Sequence, residues 1–196
     1  MGIKSADLLR NNFLGKAFFL PEELDLILER GQFKKVKKRK ELFVEGSIPQ
    51  QVIYVLKGLL RMYVTGADDK IFTLEFASED NWMADLKSVY SRSTSQVSIE
   101  ALEDSEIFVL HPDDVQFLHK QIPALVNFSR LNAEEKYNNL LHRMLHVNNI
   151  SYTASQRLDY FEELYPQLIE RIPAYVVASF LGISEETYFR LRKKRS

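Results

Sequence analysis

The sequence predicts an α+β protein of two units, a small β-sandwich or barrel and then a run of helices. Three observations carry this. Short β-branched and aromatic runs, broken by polar or glycine turns, crowd the stretch from Phe33 to about Leu110. From Pro112 onward, apolar residues recur at helical spacing instead. The end of the chain, from Ile172, reads as two short helices about a glycine turn.

Each element can be justified in order. Residues 5–30 read as two helical pieces. Pro21 suits a first turn, Glu22 and Glu23 follow where a helix dipole favours carboxylates, and Gly31 stops the second piece. Leu42–Val44 is a short strand before the turn Glu45-Gly46-Ser47. Ile53–Leu56 ends at Lys57-Gly58, Leu59–Val64 ends at Gly66-Ala67-Asp68-Asp69, and Ile71–Phe76 follows. Val97–Ile99 and Glu106–Leu110 complete the strands. Pro112-Asp113-Asp114 opens a helix. A long helix spans about Ala124 to Val147, and Thr153 to Leu164 is amphipathic through Leu158, Phe161 and Leu164.

The 196 residues suit one large domain or one domain with a small appendage, at roughly 100–200 residues per domain. The 45% hydrophobic content is that of an ordinary globular chain. There is no cysteine, which excludes disulfides, Cys-ligated zinc and Cys-ligated iron–sulfur clusters, and fits a reducing cytoplasm. No run of about 18 apolar residues is present. The opening MGIKSADLLR carries no signal-peptide core, and Ala6 stands where a myristoylation signal wants Ser or Thr. A net charge of −1 says nothing about nucleic acid; its distribution does. Positive charge gathers at Lys34, Lys35, Lys37, Lys38, Arg39 and Lys40, and again at Arg190, Arg192, Lys193, Lys194 and Arg195. The first run reads as a solvated face or a contact for DNA or an acidic partner.

The chemistry concentrates in IPAYVVASFLGISEETYFRLRKKRS. Pro173 can start a helix, and Val176, Val177 and Phe180 give it an apolar face. Gly182 permits a tight turn, and Ser184 is a good N-cap with Glu185 and Glu186 in the first turn behind it. The second helix carries Arg190, Arg192 and Lys193, so the segment has the shape of a helix-turn-helix whose second helix enters a major groove. A plain helical hairpin with an exposed basic tail is the alternative.

Three stretches together resemble the Crp/Fnr regulators over nearly the whole chain. Val44-Glu45-Gly46 resembles an early turn of the cyclic-nucleotide-binding fold. Tyr54-Val55-Leu56-Lys57-Gly58 resembles one of its strands and turns, and Leu181–Lys194 resembles the family's recognition helix. The resemblance implies an N-terminal β-barrel or jelly-roll sensor domain (1–122), a long dimerisation helix (123–149) and a C-terminal DNA-binding domain (150–196). It also implies a cytoplasmic homodimer that reads double-stranded DNA, with RNA polymerase as a further partner. The family's recognition-helix glutamate and arginine fall on Glu186 and Arg190; a carboxylate can accept from cytosine N4, and a guanidinium can bridge guanine O6 and N7. Ser184, Thr187, Arg192 and Lys193 would touch phosphate. Glu185 and Phe189 depart from the family pattern, so base preference is expected to differ.

The family's phosphate cassette uses glycine–glutamate–leucine and then an arginine–serine pair. Here the matching residues are Ala84, Asp85 and Leu86, with Thr94 and Ser95 further on. Asp85 can replace the ribose-binding glutamate, but no arginine falls at the second position, and Arg92 is out of register. Asn138, Asn139, Leu140 and Leu141 lie roughly where hydroxyl side chains would meet adenine. Cyclic AMP is therefore not expected to bind; a less charged ligand, or none, is the alternative. Trp82 either lines this pocket or packs as an ordinary aromatic.

His142 and His146 stand four apart, a metal-gripping spacing, but no third ligand is evident and no metal or cofactor is expected. An enzyme is not expected either. The β block holds no histidine for a cupin metal site, and no Walker loop, dinucleotide fingerprint or nucleophile elbow occurs. A signalling or scaffold module that uses the barrel without binding DNA is the remaining alternative.

Overall fold

The structure is a computed structural model and describes residues 3–195. Its order is α1 (Ile3–Leu14), α2 (Pro21–Arg30), β1 (Gln32–Val36), β2 (Glu41–Phe43), β3 (Val52–Lys57), β4 (Leu60–Thr65), β5 (Ile71–Ala77), β6 (Trp82–Met83), α3 (Leu86–Ser91), β7 (Ser98–Ala101), β8 (Ser105–Leu110), α4 (Pro112–Gln121), α5 (Pro123–His146), α6 (Ala154–Leu164), α7 (Ala174–Leu181) and α8 (Glu185–Lys193). The α+β class read from the sequence holds. The β block forms two four-stranded sheets, ordered β1-β8-β3-β6 and β2-β7-β4-β5, which is the strand order of a jelly roll rather than a closed barrel.

Two compact units emerge. One runs to Met62 and adds Phe76–Glu134; the other joins Tyr63–Glu75 to the chain from Glu135 onward. The outer half of the β4–β5 hairpin thus groups with the C-terminal helices, and α5 is shared between the units.

In the first unit, β8 pairs antiparallel with both β1 and β3, matching Phe33 to Phe108 and Ile53 to Val109. Gly58 ends β3 at φ +103, and a Cβ there would stand 2.3 Å from Ser105 Oγ, so the turn demands glycine. The basic run begins on β1, a strand that the lysines hide in the sequence. Lys35 pairs with Glu106 at 3.7 Å and Lys37 with Asp104 at 2.8 Å across the β1–β8 side of the sheet. Helices α1, α2, α4 and the start of α5 cover a core that includes Leu9, Phe13, Ile27, Tyr54, Phe108 and Phe128.

In the second unit, Thr153 caps α6 in a reciprocal box with Gln156. Leu158 and Phe161 meet Val176, Val177, Phe180 and Leu181 of α7, all essentially inaccessible to solvent. Phe161 and Tyr165 both lie within 6 Å of Phe180, at 5.5 and 5.9 Å between ring centroids. Along α5, Tyr137, Leu140, Leu141, Met144 and Leu145 stay exposed, with Leu140 at 52% and Leu145 at 58%. No helix among the described residues is long and apolar enough to cross a membrane.

Candidate nucleic-acid interface

Helices α7 and α8 are joined at Gly182, whose φ of +65 is left-handed. Ile183 N–H reaches back to Ala178 carbonyl at 3.1 Å, closing α7 with the six-to-one bond of a Schellman ending. Ser184 then starts α8: its Oγ accepts from Thr187 N–H at 3.2 Å and lies 2.9 Å from Thr187 Oγ1. The helix turns Tyr188 into the core, and Leu191 follows on the same side, partly covered. Glu186, Phe189, Arg190 and Lys193 are exposed on the other side, and Glu185 and Lys194 are exposed at the two ends. One outward strip therefore offers a carboxylate acceptor at Glu186, guanidinium donors at Arg190 one turn later, and ammonium charge beyond.

Arg192, expected on the phosphate-facing side, is placed otherwise. It lies four residues after Tyr188 and so shares the inner side of α8. Its guanidinium pairs with Glu162 at 3.4 Å and Glu170 at 3.0 Å. Arg195, one turn further, bonds Glu162 at 2.7 Å and Asp159 at 2.5 Å. These two arginines clamp the end of α8 to α6 and the segment after it. Ser184 and Thr187 spend hydroxyl capacity on capping, while Glu186, Arg190 and Lys193 remain exposed on the outward strip.

A second set of contacts fixes α7, and sequence reasoning missed it. Arg143 of α5 donates from Nη2 to Thr73 carbonyl at 2.7 Å and to Phe180 carbonyl at 3.3 Å, and from Nη1 to Leu74 carbonyl. Its guanidinium lies over the Phe180 ring, 4.2 Å from the centroid. Burial pulls its pKa below the ordinary guanidinium range. Arg157 donates to Leu181 carbonyl at 3.3 Å, so two cations meet the negative end of α7. Ser179 joins β5: its Oγ donates to Ile71 carbonyl at 2.7 Å and accepts from Thr73 N–H at 2.8 Å. A buried arginine and a half-exposed serine carry no motif. Only their partners, on a strand about 70–108 residues earlier in sequence, reveal the role.

The cassette residues do come together, but around one another. Asp85 caps α3. Its Oδ2 accepts from Ser88 Oγ at 2.6 Å and lies 2.8 Å from Ser95 Oγ, and its Oδ1 accepts from Ser88 N–H at 3.3 Å. Thr94 is exposed, and its carbonyl accepts from Ser88 Oγ at 3.3 Å. Ala84 and Leu86 flank the cap, both partly covered. Arg92 turns to Asp113 instead. Trp82 is a packed aromatic. Its ring lies 5.1 Å from Tyr54 and 5.7 Å from Phe13, and its Nε1 donates to Asn12 at 2.9 Å. His142 stacks on His146 and His146 in turn on Tyr160, and no group of three or more acidic or imidazole side chains able to hold a metal occurs among the described residues.

A jelly roll followed by a long helix and two short helices about a glycine turn is the arrangement expected from the resemblance to Crp/Fnr regulators, and the comparisons with known proteins agree on the fold. Residues 33–121 match the cyclic nucleotide-binding domain family. The cyclic AMP receptor protein of Thermus thermophilus is 25% identical over 107 residues, a match covering 55% of this chain and 49% of that relative. The match thus spans about half the length of that relative. Among solved structures, the c-di-GMP responsive global regulator CLP of Xanthomonas campestris superposes with a TM-score of 0.74 at 14% identity, covering 89% of this chain and 90% of that one. FixK2 of Bradyrhizobium japonicum gives 0.73 at 15% identity, covering 84% and 83%. The catabolite activator protein of Thermus thermophilus gives 0.56 at 22%, covering 90% and 83%. The fold is that seen in Crp/Fnr regulators, and residues 33–121 are similar to the cyclic nucleotide-binding domain.

Proposed function

We propose that the chain is a cytoplasmic transcription regulator of Crp/Fnr type, not an enzyme, that binds double-stranded DNA as a homodimer. The observation that carries this is the polarity of α8. Its inner side is locked by Tyr188, Arg192 and Arg195, while Glu186, Arg190 and Lys193 stand free of the body on one outward strip. In the major groove, Glu186 would accept from cytosine and Arg190 would bridge guanine. Ser184, Thr187 and Lys193 would meet phosphate. Arg192 would act on DNA through the stability of α8 more than by direct contact.

Two copies would join through the exposed α5 strip from Tyr137 to Leu145, which a single chain leaves in water. The two α8 helices would then meet half-sites about one helical turn apart. RNA polymerase is the natural further partner of such a dimer. Cyclic AMP would not be the effector, because Asp85 is engaged by Ser88 and Ser95 and Arg92 is paired with Asp113, leaving an entering phosphate without a guanidinium.

The test is selection from a randomised duplex library, with cyclic AMP calorimetry on the same preparation. Enrichment of a palindrome and no heat from cyclic AMP are expected. Failure to enrich any sequence, with binding that vanishes at moderate salt, would remove the regulator reading; a saturable cyclic AMP heat would remove the effector part.

A further inference from the structure

Helix α8 carries one residue out of keeping with its surface. The exposed positions from Glu185 to Lys194 all bear charge except Phe189, which is 54% exposed. Phe189 follows Tyr188, and the two aromatics part company: Tyr188 is buried and Phe189 faces out. An outward phenylalanine does nothing for the helix. Its helix propensity is below that of lysine or glutamate, and its ring gains no burial while it stays in water. The ring is also steadied. It lies edge to face on Tyr188, with centroids 5.9 Å apart and an interplanar angle of 61°, so an anchored neighbour directs it. Glu186 stands three residues before it and Lys193 four after, both on the exposed side. Among the described residues Phe189 is the one large apolar side chain exposed on α8, so the helix offers no contiguous apolar patch for a protein partner. A lone ring among cations and a carboxylate suits the major groove instead. Base edges there present hydrogen-bond donors and acceptors and a single kind of apolar group, the thymine 5-methyl.

We propose that Phe189 reads the 5-methyl group of a thymine in each half-site. This rests on the DNA-binding reading above and adds an apolar base contact to the polar ones of Glu186 and Arg190. The ring covers the methyl and removes it from water, while a base edge without the methyl leaves a gap against the ring. Moving one methyl-sized group out of water changes affinity by about fourfold per half-site, or roughly fifteenfold for a dimer on a palindrome. Both partners are uncharged and no counterion is released, so this factor is independent of salt, unlike the contribution of the phosphate contacts.

The experiment uses the full chain and the duplex selected above. Thymines are replaced by deoxyuridine at one symmetric pair of positions at a time, which removes the methyl and keeps every hydrogen-bonding group. Affinities of wild type, Phe189→Ala and Phe189→Leu are measured at two salt concentrations, with unfolding midpoints alongside. At one pair of positions wild type should lose roughly fifteenfold, by the same ratio at both salts. Phe189→Ala should bind the thymine and deoxyuridine duplexes equally, unfold near the wild-type midpoint, and still prefer the selected duplex to a scrambled one through Arg190. Phe189→Leu should keep part of the methyl preference. A selected half-site without thymine, or a wild type indifferent to every deoxyuridine, would overturn the proposal. So would a methyl preference that persists undiminished in Phe189→Ala, which would give the methyl to another side chain. Each of these results leaves the DNA reading standing, because the selected duplex is still preferred. Equal binding of the selected and scrambled duplexes by wild type would bring down the DNA reading itself, and the thymine contact with it.

Discussion

Replacing Arg143 by methionine separates two opposed effects. Burying a guanidinium costs several kcal/mol, so an apolar replacement of similar length can stabilise a protein when the charge was poorly paired. Here the charge is well used. It donates to the carbonyls of Thr73, Leu74 and Phe180 and lies over the Phe180 ring. Of its three guanidinium nitrogens, Nε alone is buried without a partner. Hydrogen bonds to a charged group contribute about 1.5–3 kcal/mol each, and a buried carbonyl stripped of its donor costs about 1–3 kcal/mol. Methionine removes every donor and leaves the carbonyls of Thr73 and Leu74 in place, so the losses exceed the recovered desolvation. The expected result is a destabilisation of about 2–4 kcal/mol in urea unfolding followed by circular dichroism, with the slope unchanged. Arg143→Lys should fall between, since one ammonium cannot reach both sides of the site. A methionine variant as stable as wild type would show that desolvation dominates and would refute the reasoning.

Three further outcomes follow from particular contacts. Gly58→Ala combines a left-handed φ of +103 with a Cβ 2.3 Å from Ser105 Oγ, and should cost upwards of about 2 kcal/mol in thermal or urea unfolding; a near-neutral result would mean that the turn repacks. Burial lowers the pKa of His119, whose Nε2 lies 2.9 Å from Ser129 Oγ. The unfolded chain then binds a proton more readily than the folded one, so stability should fall as pH drops from neutral through the ordinary imidazole range, and His119→Gln should flatten that dependence. Leu141→Glu with Leu145→Glu places charge in the exposed α5 strip and should convert a dimer to a single chain by light scattering; an unchanged mass would place the dimer contact elsewhere.

Much of this was legible in the sequence because the signals are local. Gly182 needs its left-handed φ and Ser184 caps the very next residues, so the α7–turn–α8 motif reads from neighbours alone. The same holds for Thr153 and Gln156, and for the strand and turn at Tyr54–Gly58. What escaped depends on partners distant along the chain. Strand β1 is defined by its pairing to β8, 69 to 77 residues away, and its lysines mask the strand in the sequence. The ion pairs of Arg192 were not legible, because charge alone does not say which side of a helix a residue occupies. Glu162 and Glu170, 30 and 22 residues earlier, decide that. Trp82 beside a degenerate cassette could line a pocket or a core in the sequence, and its contacts with Phe13, Tyr54 and Asn12 come only from the fold. Ser179 gave no signal, since a serine on a short helix is ordinary until β5 is placed beside it.

The measurement that bears most directly on the account is a titration of the selected duplex and a scrambled one at two salt concentrations, with wild type, Arg190→Ala and Arg192→Ala. The account predicts that Arg190→Ala weakens the selected site by about 10- to 100-fold and the scrambled one far less, as loss of a guanine-bridging arginine should. Arg192→Ala should instead lower the unfolding midpoint, because it removes the ion pairs to Glu162 and Glu170, and should leave the discrimination between duplexes largely intact. Equal binding of both duplexes by wild type, or discrimination that survives Arg190→Ala, would contradict α8 as the reading helix.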